Sequence, residues 1–443
     1  MEMHCDRREF IRTGVSAGVG AALAGCVTGA GGKGPRVWRK GQLHAHTIWS
    51  DGQALPEEAL AVYRARGFDF VCLSDHDQFP TATDHWISVE KKFGEWPYHL
   101  AEEALQRAEK LAPGSIRVRD VWCRRYVRLK PFAELARQFN EPGKFLVVPG
   151  QEVSRSCHMN VFNVDAKLED ELTDLTGKDI SRANVTKVAR RIREVYLRHA
   201  RPNGRSFLMM NHPYWLTWDV DPRVMLDVPE LQVWEICNNG SEEAPRELDI
   251  EKAWDFVLAH RLANGGRLVY GTATDDAHSY EVSRRHTNCG TEGGWVVVDC
   301  PGELTADNLS QAILRGDFYA TCGVEIEDFS FDDMTRTLSV RARPRANEKL
   351  RIEFITTKRG FDRSIVEQHV RAVQKEELFR DLPKVNDTIG RVVKTVEGPV
   401  GSYALADDDL YARAVVISDR PTVNRTAHYP KTQRAWIQPV RGV

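Results

Sequence analysis

From about residue 38 onward, short apolar runs alternate with longer amphipathic or charged ones. The apolar runs at 42–46, 68–73 (FDFVCL), 145–148, 159–164 (MNVFNV), 207–210, 231–236 and 267–271 predict strands. Between them, 56–66, 99–111, 131–139, 181–199 and 249–263 predict helices. Pro56 near the start and Gly67 past the end of the first helix fit the usual asymmetry of helix termini. A repeated βα rhythm of this kind predicts a parallel sheet or barrel.

The polar residues sharpen that choice. Metal-type side chains fall at or just after the C-terminal end of strand after strand: His44 and His46, then His76, Glu152, His212, and Asp276 with His278. A (β/α) barrel gathers many strand ends around one point, whereas an open sheet spreads them along a line. The expected architecture is therefore an α/β barrel over 38–324, with a long insertion at 78–143 that walls the site. After residue 325 helical periodicity fades. Alternating runs at 324–331, 337–343, 350–356 and 410–418 predict a small β-sandwich accessory domain over 325–443.

Composition changes the picture little. The 443 residues are 42% hydrophobic and 28% charged, ordinary for a globular protein. The net charge of -2 gives no strong electrostatic call for nucleic acid or for an anionic membrane. Nine cysteines include no CxxC pair, which supports neither a zinc ribbon nor a disulfide framework. A small-molecule substrate is the expected partner, and the sequence sets no oligomeric state.

The first 37 residues differ from the rest. Arg7-Arg8, then Phe10-Ile11, precede the apolar run GVSAGVGAALAG, which is too short for a permanent membrane span. The segment resembles a twin-arginine export signal. Leu23-Ala24-Gly25-Cys26 resembles a lipoprotein cleavage box, with Cys26 as a lipidated membrane tether. The alternative, a short starting helix, is disfavoured by the small-residue composition. Residues 27–37 would form a flexible tether. The expected location is the periplasm or cell envelope.

His44, His46, Asp51, His76, Glu152, His158, His212, Asp276 and His278 form the candidate metal constellation. Taken singly, a histidine at a strand end is more often hydrogen-bonded filler than a ligand. The functional reading rests on their joint placement. Imidazole and carboxylate donors without thiolate suit zinc, manganese or iron. Order and context resemble the polymerase-and-histidinol-phosphatase (PHP) family of metallohydrolases. The pieces that carry the resemblance are LHAHT with SDG, LSDHD, GQEVS followed by CHMNV, MNHPY, TDDAHS and GDFYATCGVEI. The SDG and AWIQPV segments look like the branch that contains carbaryl-type ester hydrolases.

The resemblance implies a distorted (β/α)7 barrel with a di- or trinuclear centre. On this sequence His44, His46, Glu152 and Asp276 would hold a first divalent metal ion. Glu152 would bridge to a second, completed by His158 and His212, and Asp51, His76 and His278 would hold a third. Two metals sharing Glu152 would acidify a shared water for attack on phosphorus or a carbonyl carbon. Glu152, His212 and Asp276 are thus the expected catalytic centre. Arg155, Arg284 and Arg285 are candidates for binding substrate phosphate, and surface charge is the competing reading for each. Asp75 or Asp77 could orient an imidazole, and His286 could supply a proton. The expected function is an exported phosphoesterase. The runner-up is a carboxylester or carbamate hydrolase with an apolar pocket lined by Trp215, Trp218, Trp86, Trp96 and Trp122.

Overall fold

In the computed structural model, residues 36–90, 100–175, 179–214, 219–240, 249–281, 289–371, 379–422 and 430–442 are described. The leader, Trp96, Trp215, Trp218, Arg284, Arg285 and His286 lie outside the described residues.

Two sheets face each other across an apolar core. The larger has nine strands, in the order Arg391–Glu397, Leu350–Lys358, Asp409–Pro421, Thr432–Arg441, Phe318–Thr321, Trp295–Asp299, Trp38–Gln42, Phe70–Cys72, Leu146–Val148. The smaller has five: Tyr270–Thr274, Val233–Asn238, Phe207–Met210, His158–Phe162, Gly150–Ser154. Phe70, Cys72, Val148, Val296 and Val298 from the first sheet pack with Phe162, Phe207, Met209, Val233 and Tyr270 from the second.

The fold is thus mixed α/β, but its sheets are not closed into the (β/α)7 barrel expected from the sequence. Parallel pairing does hold along Trp38–Gln42, Phe70–Cys72 and Leu146–Val148, and again along Phe207–Met210, Val233–Asn238 and Tyr270–Thr274. Elsewhere neighbours run antiparallel: Gly150–Ser154 with His158–Phe162, that strand with Phe207–Met210, and Trp38–Gln42 with Trp295–Asp299. For the first of these pairs the reason is loop length. The few residues between Ser154 and His158 allow only a hairpin, because a parallel return needs a dozen or more. At the seams, single parallel bridges, His76↔Glu152 and Ala45↔Ala277, tie one sheet to the other.

The helices form close to where periodicity places them. Pro56–Ala65 starts on Pro56, with Glu57 and Glu58 in its first turn. Arg182–His199 is capped by Ser181, and Ile250–Ala263 by Asp249, whose side chain accepts from Glu251 N–H at 2.8 Å. The insertion folds as a four-stranded sheet with helix Glu102–Leu111. It packs Ile87, Leu100, Leu105 and Val127 on Ile48 and Leu55 of the loop that follows the first strand.

The strands expected after residue 325 are present, and they divide between sheets. Glu325–Asp332, Thr337–Arg343 and Val400–Ala404 make a three-stranded sheet, while the last two long strands continue the nine-stranded one. Gln438 joins the final strand to the five-stranded sheet. Gly271 N–H donates to its Oε1 at 2.9 Å, and its Nε2 donates to Gly271 O at 2.8 Å. Below it, Arg413 and Asp255, each 1% exposed, are fully buried. Arg413 Nε and Nη2 donate to the two carboxylate oxygens at 2.7 Å each, and Tyr411 OH adds a third bond at 2.7 Å.

Removing one partner of such a pair strands the other without water. Asp255→Ala should cost about 3–5 kcal/mol, read as a lower urea midpoint. A midpoint unchanged from the parent would show that Arg413 finds another partner.

Candidate metal centre

All nine residues singled out by sequence meet at the seam between the two sheets. His44 and His46 lie just beyond Trp38–Gln42, rather than within a strand as the sequence reading had it. Even so, their Nε2 atoms come to 3.0 Å of each other. Glu152 sits in Gly150–Ser154, His158 opens the next strand, and His212 follows Phe207–Met210. Asp276 follows Tyr270–Thr274 in a left-handed conformation, φ 49°, that aspartate tolerates. Gly240 makes room for it: a Cβ there would lie 2.7 Å from Asp276 Oδ2.

Four donor atoms surround one point. His44 Nε2 lies 3.1 Å from Glu152 Oε2 and 3.2 Å from Asp276 Oδ1; His46 Nε2 lies 3.2 and 3.0 Å from the same oxygens. With the contact between the imidazoles, these are five of the six edges of a tetrahedron. Donors about 2.0 Å from a central ion stand about 3.3 Å apart, so a zinc-sized cation fits. Glu152 Oε2 and Asp276 Oδ1 are buried and accept no well-aligned hydrogen bond. Buried carboxylate oxygens left so are costly unless a cation satisfies them.

The other oxygen of Glu152 meets a second set. Its Oε1 is 3.2 Å from His158 Nδ1 and 3.1 Å from His212 Nε2, and it accepts from Asn211 Nδ2 at 2.7 Å. A third set lies toward solvent. Asp51 Oδ2 is 3.5 Å from His76 Nε2 and 3.3 Å from His278 Nε2. Asp51 is 38% exposed and His76 26%, whereas His44, His46 and Glu152 are fully buried. The centre therefore opens on the side of Asp51. His76 also reaches inward, with Nδ1 3.0 Å from Glu152 Oε2 and 2.5 Å from Ser154 Oγ.

One member escaped the sequence reading. Glu235, fully buried in Val233–Asn238, accepts from His44 Nδ1 at 2.8 Å and from Thr274 Oγ1 at 2.7 Å. Its Oε2 accepts from His212 N–H at 2.6 Å and Asn238 Nδ2 at 2.9 Å. A carboxylate can only accept here, so His44 donates its Nδ1–H and turns the Nε2 lone pair toward the metal position. The signal was present: a glutamate inside the buried apolar run VWEIC must be paired. Asp75 does not meet an imidazole directly. It accepts from Thr47 N–H and Oγ1 and from Ser50 Oγ, at 2.7, 2.8 and 2.8 Å, and so shapes the loop carrying His46 and Asp51. Asp77 takes Arg155 Nη1 at 2.7 Å, which engages that guanidinium. Trp122, expected in an apolar pocket, is instead 99% exposed.

The field of the carboxylates shifts the pKa values of the imidazoles around them. Burial alone would lower the histidine pKa values. Against it, Asp276, Glu152 and Glu235 raise His44, Glu152 and Asp51 raise His76 to about 10, and Asp51 raises His278. His158 goes the other way because burial wins there. Burial would raise Glu152 and Asp276, but the surrounding imidazoles hold both well below the usual carboxylate range.

No family model matches the chain, and no curated protein does. Among solved structures it is similar to one from Bacteroides vulgatus described as a two-domain protein containing a predicted PHP-like metal-dependent phosphoesterase. The identity is 14% over 91% of this chain and 95% of that one, with a TM-score of 0.34. It is also similar to an amidohydrolase from Chromobacterium violaceum with bound sulfate and no metal, at 16% identity over 54% of this chain and 87% of that one, with a TM-score of 0.26. TM-scores this low do not establish a shared fold.

Two outcomes follow from the geometry. Histidines with raised pKa values hold protons at neutral pH that a metal must displace. Zinc affinity should therefore fall as pH falls, with proton release seen by calorimetry in buffers of different ionisation enthalpy; a pH-independent affinity would contradict the donor assignment. Glu235→Ala should weaken metal binding about 10- to 100-fold, while Glu235→Gln, which keeps an acceptor for His44, should lose less.

Proposed function

We propose that the chain is an exported PHP-type hydrolase that uses two or three divalent metal ions and acts on phosphate esters. The observation that carries the reading is Glu152. It is a buried carboxylate with one oxygen among His44, His46 and Asp276 and the other between His158 and His212. A carboxylate placed so is suited to bridging two cations, and paired cations suit displacement at phosphorus.

Cations held there would supply Lewis-acid polarisation of the ester and a water acidified toward neutral pH. The chain's own residues do the positioning. Glu235 sets the tautomer of His44, Asn211 fixes the bridging side of Glu152, and Asp75 orders the loop of His46. Asp276 adds a second carboxylate, whose charge offsets the first cation. The more exposed Asp51, His76 and His278 border the side from which substrate enters, and a cation there would take up non-reacting phosphate oxygens.

The test is turnover by the zinc- or manganese-loaded protein of p-nitrophenyl phosphate, bis-p-nitrophenyl phosphate and p-nitrophenyl acetate. Hydrolysis of a phosphate ester is expected. Turnover of the acetate alone would replace this reading with a carboxylester hydrolase, and metal binding with no turnover would leave a binding module. Glu152→Gln should lower metal stoichiometry and rate together, the rate by at least about a hundredfold, since even outer partners of metal ligands matter on that scale.

A further inference from the structure

The insertion carries a feature that the metal chemistry does not use. Strands Val118–Val121 and Arg124–Leu129 pair as an antiparallel hairpin with Val121 opposite Arg124. The turn between them is therefore two residues, Trp122 and Cys123. Trp122 has φ 56°, the conformation that such turns usually give to glycine or asparagine. A bulky residue there is strained. No packing offsets the strain, because Trp122 is 99% exposed. A residue that breaks a local rule without a folding gain marks a place where function sets the choice.

The surroundings narrow that function. Val121 beside the turn is 40% exposed, as is Val118 on the opposite face of the same strand. Residues 117–125 contain Arg117, Arg119, Arg124 and Arg125 against Asp120 alone. Arg125 pairs with Asp120 and with Glu102 of the neighbouring helix, and Arg119 covers the Trp86 ring at 4.0 Å. Val118–Val121 is an edge strand with all four residues exposed. An exposed tryptophan at a tip, flanked by aliphatic and arginine side chains, matches the interfacial zone of a bilayer. There the indole sits at headgroup depth and the cations meet anionic lipid.

We propose that this hairpin docks the protein on an anionic membrane surface, with Trp122 inserted at the headgroup level and Arg117 and Arg124 against lipid phosphates. The occupant follows from charge: the exposed arginines beside Trp122 call for a surface that supplies many anionic groups at once, as a bilayer with anionic lipid does.

The test is co-sedimentation of the full chain, carrying Cys26→Ser so that no lipid tether contributes, with vesicles of phosphatidylcholine alone or mixed with phosphatidylglycerol. Binding to the mixed vesicles, weakened by salt, is expected. Arg117→Glu with Arg124→Glu should weaken it at least about tenfold, as each basic residue near a charged surface counts several-fold. Trp122→Gly removes the strain, so it should leave thermal stability unchanged or raised while vesicle affinity falls at least about fivefold. Metal content should stay at the parent level in both variants. Equal binding by parent and variants, binding indifferent to lipid charge, or no binding would overturn the proposal. So would a dimer that Trp122→Gly dissolves in the absence of vesicles, which would assign the strand edge to a second copy of the chain.

Discussion

A carboxylate buried out of reach of bulk solvent governs this molecule. Glu152 is fully buried, and imidazoles of His44, His46, His76, His158 and His212 lie within 3.2 Å of its two oxygens. An isolated charge in such a place costs many kcal/mol in desolvation, and the fold tolerates it only with compensating charge nearby. That requirement explains the density of histidines, the second carboxylate at Asp276 and the outer carboxylate at Glu235. It also explains why Asn211 and Asn160 are buried beside it, joined through Asn211 Nδ2 and Asn160 Oδ1 at 2.9 Å. Neutral amides complete the hydrogen bonds without adding more charge to a crowded site.

The seam between the sheets is what makes the cluster possible. A single flat sheet would set these side chains side by side. Here the parallel strands of each sheet end at the seam, and the bridges His76↔Glu152 and Ala45↔Ala277 hold the two edges in register. Elements far from the chemistry maintain that register. Gln438 grips Gly271 at the far edge of the smaller sheet, on the strand that leads into Asp276. The insertion supports the loop of Asp51 from outside through Ile48 and Leu55. Strands read as an accessory domain and an insertion read as a wall thus both bear on where the donors stand.

Much of this was legible in the sequence. The donor residues, their order and their positions at the ends of apolar runs were all visible, because a buried strand is a continuous apolar run and its end is where polar side chains can first appear. Helices with clear periodicity and end signals, such as 56–66 and 249–263, were legible for the same local reason. Even the odd glutamate in VWEIC was visible, though its partner was not.

What only the tertiary structure decided was long-range. Sheet membership depends on pairing between strands hundreds of residues apart, so no local pattern told that Thr432–Arg441 continues the sheet of Trp38–Gln42, or that Gly150–Ser154 turns back as a hairpin. Which nitrogen of His44 faces the metal position is set by Glu235 on another strand, and the commitment of Arg155 is set by Asp77. The chain's local chemistry chose the donors and their order; packing between distant strands chose their geometry, because a charge-bearing atom is placed by whatever surrounds it in space and not by its neighbours along the chain.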